Sequence, residues 1–150
     1  MEQKNLFTNF SQVGFVVRDM NKTVEAMERI LGVKPDVVNN VNPENKRYHG
    51  KPGDFDAVLA LYNFANVQLE FIQPVSGTSI WQEHLDKHGE GLHHIRFTVD
   101  DHDEAVEYMA QKGILPSQQG DSLTPTVQWD YFDTEPVLGF ILETLSKKKQ

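Results

Sequence analysis

The chain has 150 residues, 39% hydrophobic and 24% charged, which is enough to bury the core of one domain. Its formal net charge is −8 and no basic stripe runs along it, which argues against nucleic acid as a partner. It has no cysteine, so disulfides and thiolate chemistry are out, and it shows neither an apolar signal region nor a membrane-length stretch, so a cytoplasmic protein with no membrane partner is expected.

Residues 12–18 alternate in hydrophobicity and read as a first strand. Asn21 is a candidate N-cap for a helix whose stripe is Val24, Met27, Ile30 and Leu31, and Gly32 stops it. Residues 33–41 look extended. Residues 42–54 are rich in Gly, Pro and Asn and read as a loop, either a lid over a site or a plain connection. Residues 55–64 and 67–72 form a hairpin turned at Asn66, with Pro74 ending it. A short helix over 79–88 offers Ile80, Trp81 and Leu85.

Residues 89–99 then form the strand around which the chain is organised. Leu92, His94, Arg96 and Thr98 are expected on one face, with Ile95, Phe97 and Val99 on the other, and His93 opposite His94 as a packing residue. Asp101 and Glu104 fit a capping box for a second helix with Val106, Met109 and Ala110 inward, stopped at Gly113. Residues 114–124 are turn-rich, with a reversal at Gly120-Asp121. Residues 127–132 and 138–145 are the last strands, with Trp129 and Tyr131 on one face. The basic tail over 146–150 reads as a frayed end. His49, His84, His88 and His102 fall in loops or on helix surfaces and receive no functional reading.

The chain repeats itself. Shifted by 82 residues, Phe15-Val16-Val17-Arg18-Asp19 falls on Phe97-Thr98-Val99-Asp100-Asp101, and Val24, Glu25 and Met27 fall on Val106, Glu107 and Met109. The same shift puts Gln12 on His94. Each half closes on an apolar strand with one central carboxylate, Glu70 in one and Glu143 in the other. Two long copies suggest a duplicated module about a pseudo-twofold axis. The expected fold is α+β: two tandem βαβββ half-modules, about 9–75 and 90–146 within one domain spanning 1–150, curled as a mixed sheet around a concave site.

That axis would bring Gln12, Glu70, His94 and Glu143 together. A carboxylate inside an apolar strand is costly unless paired, hydrogen-bonded or metal-bound. Each of the four taken alone could be an ordinary rim or strand residue. Together, two carboxylates, one imidazole and one amide suit a single divalent ion, Zn²⁺, Ni²⁺, Co²⁺ or Mn²⁺.

With Gly89-Glu90-Gly91-Leu92-His93-His94-Ile95, Val99-Asp100-Asp101 and Leu69-Glu70-Phe71-Ile72-Gln73-Pro74, the chain resembles the vicinal oxygen chelate superfamily, and most of all its methylmalonyl-CoA epimerase branch. The resemblance implies metal ligands at Gln12, Glu70, His94 and Glu143. Epimerases of this type carry His where this chain has Gln12, and the Gln-Glu-His-Glu set is similar to that of eukaryotic glyoxalase I. They also carry a second catalytic Glu where this chain has Asp54 or Asp56. The implied activity is proton abstraction next to a metal-chelated carbonyl of a small substrate, a thioester or hemithioacetal. Glu143 is the first candidate base, with Glu70 or Asp54 for the other face. Arg96 could receive a substrate carboxylate or pair with Glu70 or Glu143, and Trp129 could line the pocket. The partners expected are a small-molecule substrate and a second copy in a homodimer. The alternatives are a metal-free small-molecule binding module of the same fold, and ring-cleaving dioxygenase chemistry, which would want a second histidine.

Overall fold

A computed structural model describes residues 4–122 and 126–149. The extreme N-terminus, the end of the turn-rich segment at Thr124, and Gln150 lie outside the described residues. The elements run β1 (Asn9–Val16), α1 (Met20–Leu31), β2 (Val37–Val41), β3 (Glu44–Tyr48), β4 (Lys51–Pro52), β5 (Asp56–Asn63), β6 (Gln68–Ser76), α2 (Ile80–His88), β7 (Gly91–Thr98), α3 (His102–Gln111), β8 (Pro116–Asp121), β9 (Val127–Phe132), α4 (Glu135–Leu138) and β10 (Ile141–Lys147). The strands form one mixed sheet in the order β2-β5-β6-β1-β7-β10-β9-β8-β3-β4, curled into a half-barrel. No described helix is long and apolar enough to cross a membrane.

The pseudo-twofold axis passes between β1 and β7, which pair antiparallel. Gln12 lies opposite Arg96 and Gly14 opposite His94, so exchanging 12 with 94 and 14 with 96 maps one pair onto the other. Each of these strands has a parallel outer neighbour. Gly14 lies beside Glu70 of β6, and Arg96 beside Glu143 of β10. Strands from both ends of the chain thus join in one sheet.

Alternation along the strands divides the core. On the inner face, Val16, Ile72, Tyr131 and Ile141 pack with Phe55 and with Ile80, Trp81 and Leu85 of α2. On the outer face, α1 lays Met20, Val24 and Met27 against Ala60, Tyr62 and Phe71, and α3 lays Met109 and Val106 against Phe132, Leu142 and Phe97. Burying side chains of this size contributes roughly 1.5–3 kcal/mol each, more than the exposed Lys4–Glu104 ion pair can. The helices start and stop where their capping chemistry is. Asp19 rather than Asn21 caps α1, accepting from the Lys22 N–H at 3.2 Å, and Gly32 ends it at φ 69°. Asp101 caps α3 as expected, accepting from the Glu104 N–H at 3.0 Å.

Several local expectations are corrected. Pro74 does not end its strand. It sits inside β6 opposite Ala57, where a register shift absorbs the irregularity near the sheet end. Gly120 and Asp121 continue β8, paired with Trp129 and Gln128, rather than reversing it. Residues 42–54 contain β3 and β4, and β3 joins β8 of the other half-module. Over its described residues, 146–149, the tail is tied down rather than frayed: Ser146 and Lys147 pair with β9, Lys148 bonds Asp121, and Lys149 lies 3.0 Å from Asp101.

Candidate metal centre

The four central strands, β6, β1, β7 and β10, each supply one group to the inner face. Glu70, Gln12, His94 and Glu143 are all at least nine-tenths buried. His94 Nε2 lies 2.8 Å from the Gln12 amide oxygen, 3.0 Å from Glu143 Oε2 and 3.4 Å from Glu70 Oε1. Ligands held about 2.1 Å from one ion stand roughly 3 Å apart, and the three separations from His94 Nε2 are of that order. Three oxygens and one nitrogen fit a borderline divalent ion.

Burial pushes the His94 imidazole toward neutrality, but the Glu143 and Glu70 carboxylates outweigh it and raise its pKa to about 9. The Gln12 amide can present either end. With its nitrogen inward it donates to His94 and to Glu143 at 3.1 Å, while its oxygen accepts from Arg96 at 3.1 Å. With its oxygen inward, its nitrogen donates to Gln68 Oε1 at 2.6 Å, and Gln68 in turn donates to Asn63. The second orientation completes the four-donor set.

Two features that alternation did not predict hold the imidazole in place. Gly14 faces His94 across the β1–β7 pair, and a Cβ built there would lie 1.9 Å from His94 Cε1. A glycine inside a strand can mark such a close approach, so the signal was present. The other feature is a bulge. Gly14 pairs with His94 but Phe15 pairs with Leu92, which leaves His93 as the extra residue. Leu92 therefore moves to the face of Phe15, away from His94, and His93 turns in beside His94 with their Nδ1 atoms 3.0 Å apart. Burial and the neighbouring His94 hold His93 well below the usual histidine range, so it stays neutral. No hydropathy pattern reports a one-residue bulge.

Gln12, Glu70 and Glu143 line a cavity of about 450 Å³. Leu59, Leu61, Val127 and Leu145 give it apolar walls, and Trp81, Trp129 and Tyr131 line it as well. The Trp129 and Tyr131 rings meet edge-on at 5.5 Å. Burial and the two carboxylates push the Tyr131 phenol well above its ordinary pKa, so it remains protonated. Val41 and Pro43, at the crossover from β2 to β3, also line the cavity. Arg96 lines it too, with Nε donating to Ser11 Oγ at 3.0 Å. Asp54 is not brought to the site. It is exposed, and its carboxylate accepts the Thr78 N–H at 3.0 Å.

A family profile described as the Glyoxalase/Bleomycin resistance protein/Dioxygenase superfamily matches residues 11–125. The chain belongs to this superfamily. The match takes in Gln12, Glu70 and His94 and stops short of Glu143. Among solved structures of this superfamily's fold, a variant methylmalonyl-CoA epimerase from Streptomyces coelicolor, in complex with 2-nitronate-propionyl-CoA, is 20% identical. It covers 93% of this chain and 94% of its own, with a TM-score of 0.69. Methylmalonyl-CoA epimerase from Mycobacterium tuberculosis is 18% identical over 99% of this chain and 94% of its own, with a TM-score of 0.66. A hypothetical protein from Bacillus halodurans is 18% identical over 95% and 96%, with a TM-score of 0.65. At these identities the likeness shows the fold alone. No curated protein matches the chain.

Proposed function

We propose that this chain is a divalent-metal-dependent enzyme of the epimerase or glyoxalase kind, removing a proton next to the carbonyl of a small thioester or hemithioacetal. The observation that carries this reading is the meeting of Gln12, Glu70, His94 and Glu143 under an apolar-walled cavity. Bound there, a zinc, nickel, cobalt or manganese ion supplies Lewis-acid stabilisation of the enolate charge that develops as the proton leaves.

The chain's own residues do the rest. Glu143, buried and in contact with His94, takes the proton. Glu70, its counterpart across the pseudo-twofold axis, serves the opposite face of the substrate carbon, the role for which Asp54 is out of place. Arg96 lines the cavity, where its guanidinium can receive a substrate carboxylate. Trp129 and the leucines exclude water, which strengthens every charge interaction at the floor.

The Streptomyces relative was solved with 2-nitronate-propionyl-CoA, so acyl-CoA thioesters are the first substrates to try. The test is deuterium incorporation from D₂O at the carbon next to the carbonyl, across thioesters and hemithioacetals. Metal-loaded protein is expected to exchange, and Glu143→Gln to lose about 10²–10⁴-fold of that rate. An exchanging wild type with an unimpaired Glu143→Gln would remove Glu143 as base. Ligand binding without exchange and without metal dependence would favour the binding-module reading.

A further inference from the structure

A second group of ligand-type side chains lies outside this centre. His84 and His88 are four residues apart on α2 and so share one helix face. Glu135, in the first turn of α4, reaches between them. His88 Nε2 lies 2.6 Å from Glu135 Oε1, and His84 Nδ1 lies 3.5 Å from Glu135 Oε2. The three ligand atoms are all within 4.8 Å of one another. His84 Nδ1 is buried and makes no hydrogen bond, although its side chain is only 10% exposed. An unsatisfied buried nitrogen is uncommon and costs free energy unless something occupies its lone pair.

We propose that His84, His88 and Glu135 form a second divalent-metal site, of the Zn²⁺ class, that fastens α2 to α4. The reading goes beyond the proposed enzyme activity and does not depend on it. Two imidazole nitrogens and one carboxylate oxygen select zinc-like ions over Mg²⁺ or Ca²⁺, which prefer all-oxygen sites. Donors about 2.1 Å from a tetrahedral ion stand roughly 3.4 Å apart, close to the His84–Glu135 separation. A cavity of about 120 Å³ opens beside them, with Glu83 and Asp133 on its wall, and leaves room for a water as fourth ligand.

Two of the three groups, His84 and Glu135, are held in the protonation state a ligand needs. Burial and the neighbouring His88 lower the His84 pKa, which keeps its imidazole neutral. Burial raises the Glu135 pKa, but His88, His84 and Lys87 outweigh it and keep the carboxylate ionised. Lys87 Nζ is the competing cation, 3.7 Å from Glu135, and its side chain is 74% exposed. A pair that loose yields readily to a divalent ion. His84 also packs edge-on against His93, ring centres 5.1 Å apart, so the site sits behind the histidine that contacts His94.

The experiment is a calorimetric titration of Zn²⁺ into metal-stripped protein, with Co²⁺ absorption spectra alongside and Mg²⁺ as control. His88→Ala/Glu135→Gln alters two partly exposed side chains, and its melting temperature checks that it folds. This variant is expected to bind one equivalent fewer than wild type. His94→Ala/Glu143→Ala is expected to retain one equivalent, lost only when all four substitutions are combined, and that equivalent should raise the melting temperature. If His88→Ala/Glu135→Gln binds as many equivalents as wild type, or His94→Ala/Glu143→Ala binds none, the second site is overturned. Should the main centre hold no metal, wild type binds a single equivalent that His88→Ala/Glu135→Gln abolishes, so the two failures differ.

Discussion

Of the glycines, Gly14 has the closest neighbour, the His94 ring. Replacing Gly14 with Ala would put a methyl group inside the imidazole's space, against a ring that is itself fully buried. Overpacking of this kind costs about 1–3 kcal/mol, and here it also displaces the His94 ring. Gly14→Ala is therefore expected to lower the melting temperature by several degrees and to abolish metal binding at the main centre, read by calorimetry; retained binding there would show that the ring tolerates the methyl. At this scale the sequence was partly readable. The 82-residue shift placed Gln12 over His94, and matching carboxylates followed at Glu70 and Glu143. What it could not show was the bulge at His93, because one extra residue on β7 inverts the alternation beyond it without changing composition. The same bulge moved Leu92 off the face it was expected to share with His94.

Among the elements, α3 is pinned at its start by more than its cap. His102 Nε2 lies 2.9 Å from Asp130 Oδ2 of β9, and Asp130 is 1% exposed. The Asp130 carboxylate at that distance, with help from Asp103, raises the His102 pKa to about 9 against the opposing effect of burial. A histidine whose folded pKa exceeds its unfolded value stabilises fully below the unfolded pKa of about 6.5, and that contribution fades as pH climbs through about 9. The melting-temperature gap between wild type and His102→Gln is thus expected to be widest near about pH 6 and to close by about pH 10. A gap that stays constant across that window would mean the contact is not ionic. Most elements were legible from periodicity and caps, as with α1 ending at Gly32 and α3 starting at Asp101. β3 and β4 were not, because Glu44–Tyr48 is polar and pairs with a strand of the other half-module. Local sequence carries no trace of that distant partner.

Closure of the half-barrel belongs to the whole molecule. β2 lies at one end of the sheet and β3 next to the other, yet only Asn42 and Pro43 join them. The crossover therefore spans the open side and brings Val41 and Pro43 to the cavity wall. Inserting two glycines between Asn42 and Pro43 should loosen this strap. We expect KM to rise about tenfold, equivalent to about 1.4 kcal/mol of binding, while metal affinity at the main centre stays unchanged. An unchanged KM would show that the crossover does not contact substrate. The expectation of a curled mixed sheet with few helices was sound, and β1 and β7 pair near its middle. The crossover was expected only as a loop, because its role depends on which strands it joins.

The central claim is that Gln12, Glu70, His94 and Glu143 hold one divalent ion, and its most direct test is metal stoichiometry in the His88→Ala/Glu135→Gln background, where the second site is removed. Stripped protein of this variant, titrated with Zn²⁺, is expected to bind one equivalent, and adding His94→Ala and Glu143→Ala is expected to bring binding to zero with the fold intact by circular dichroism. An equivalent that survives those substitutions, or a background that binds no Zn²⁺, Ni²⁺, Co²⁺ or Mn²⁺, would contradict the account.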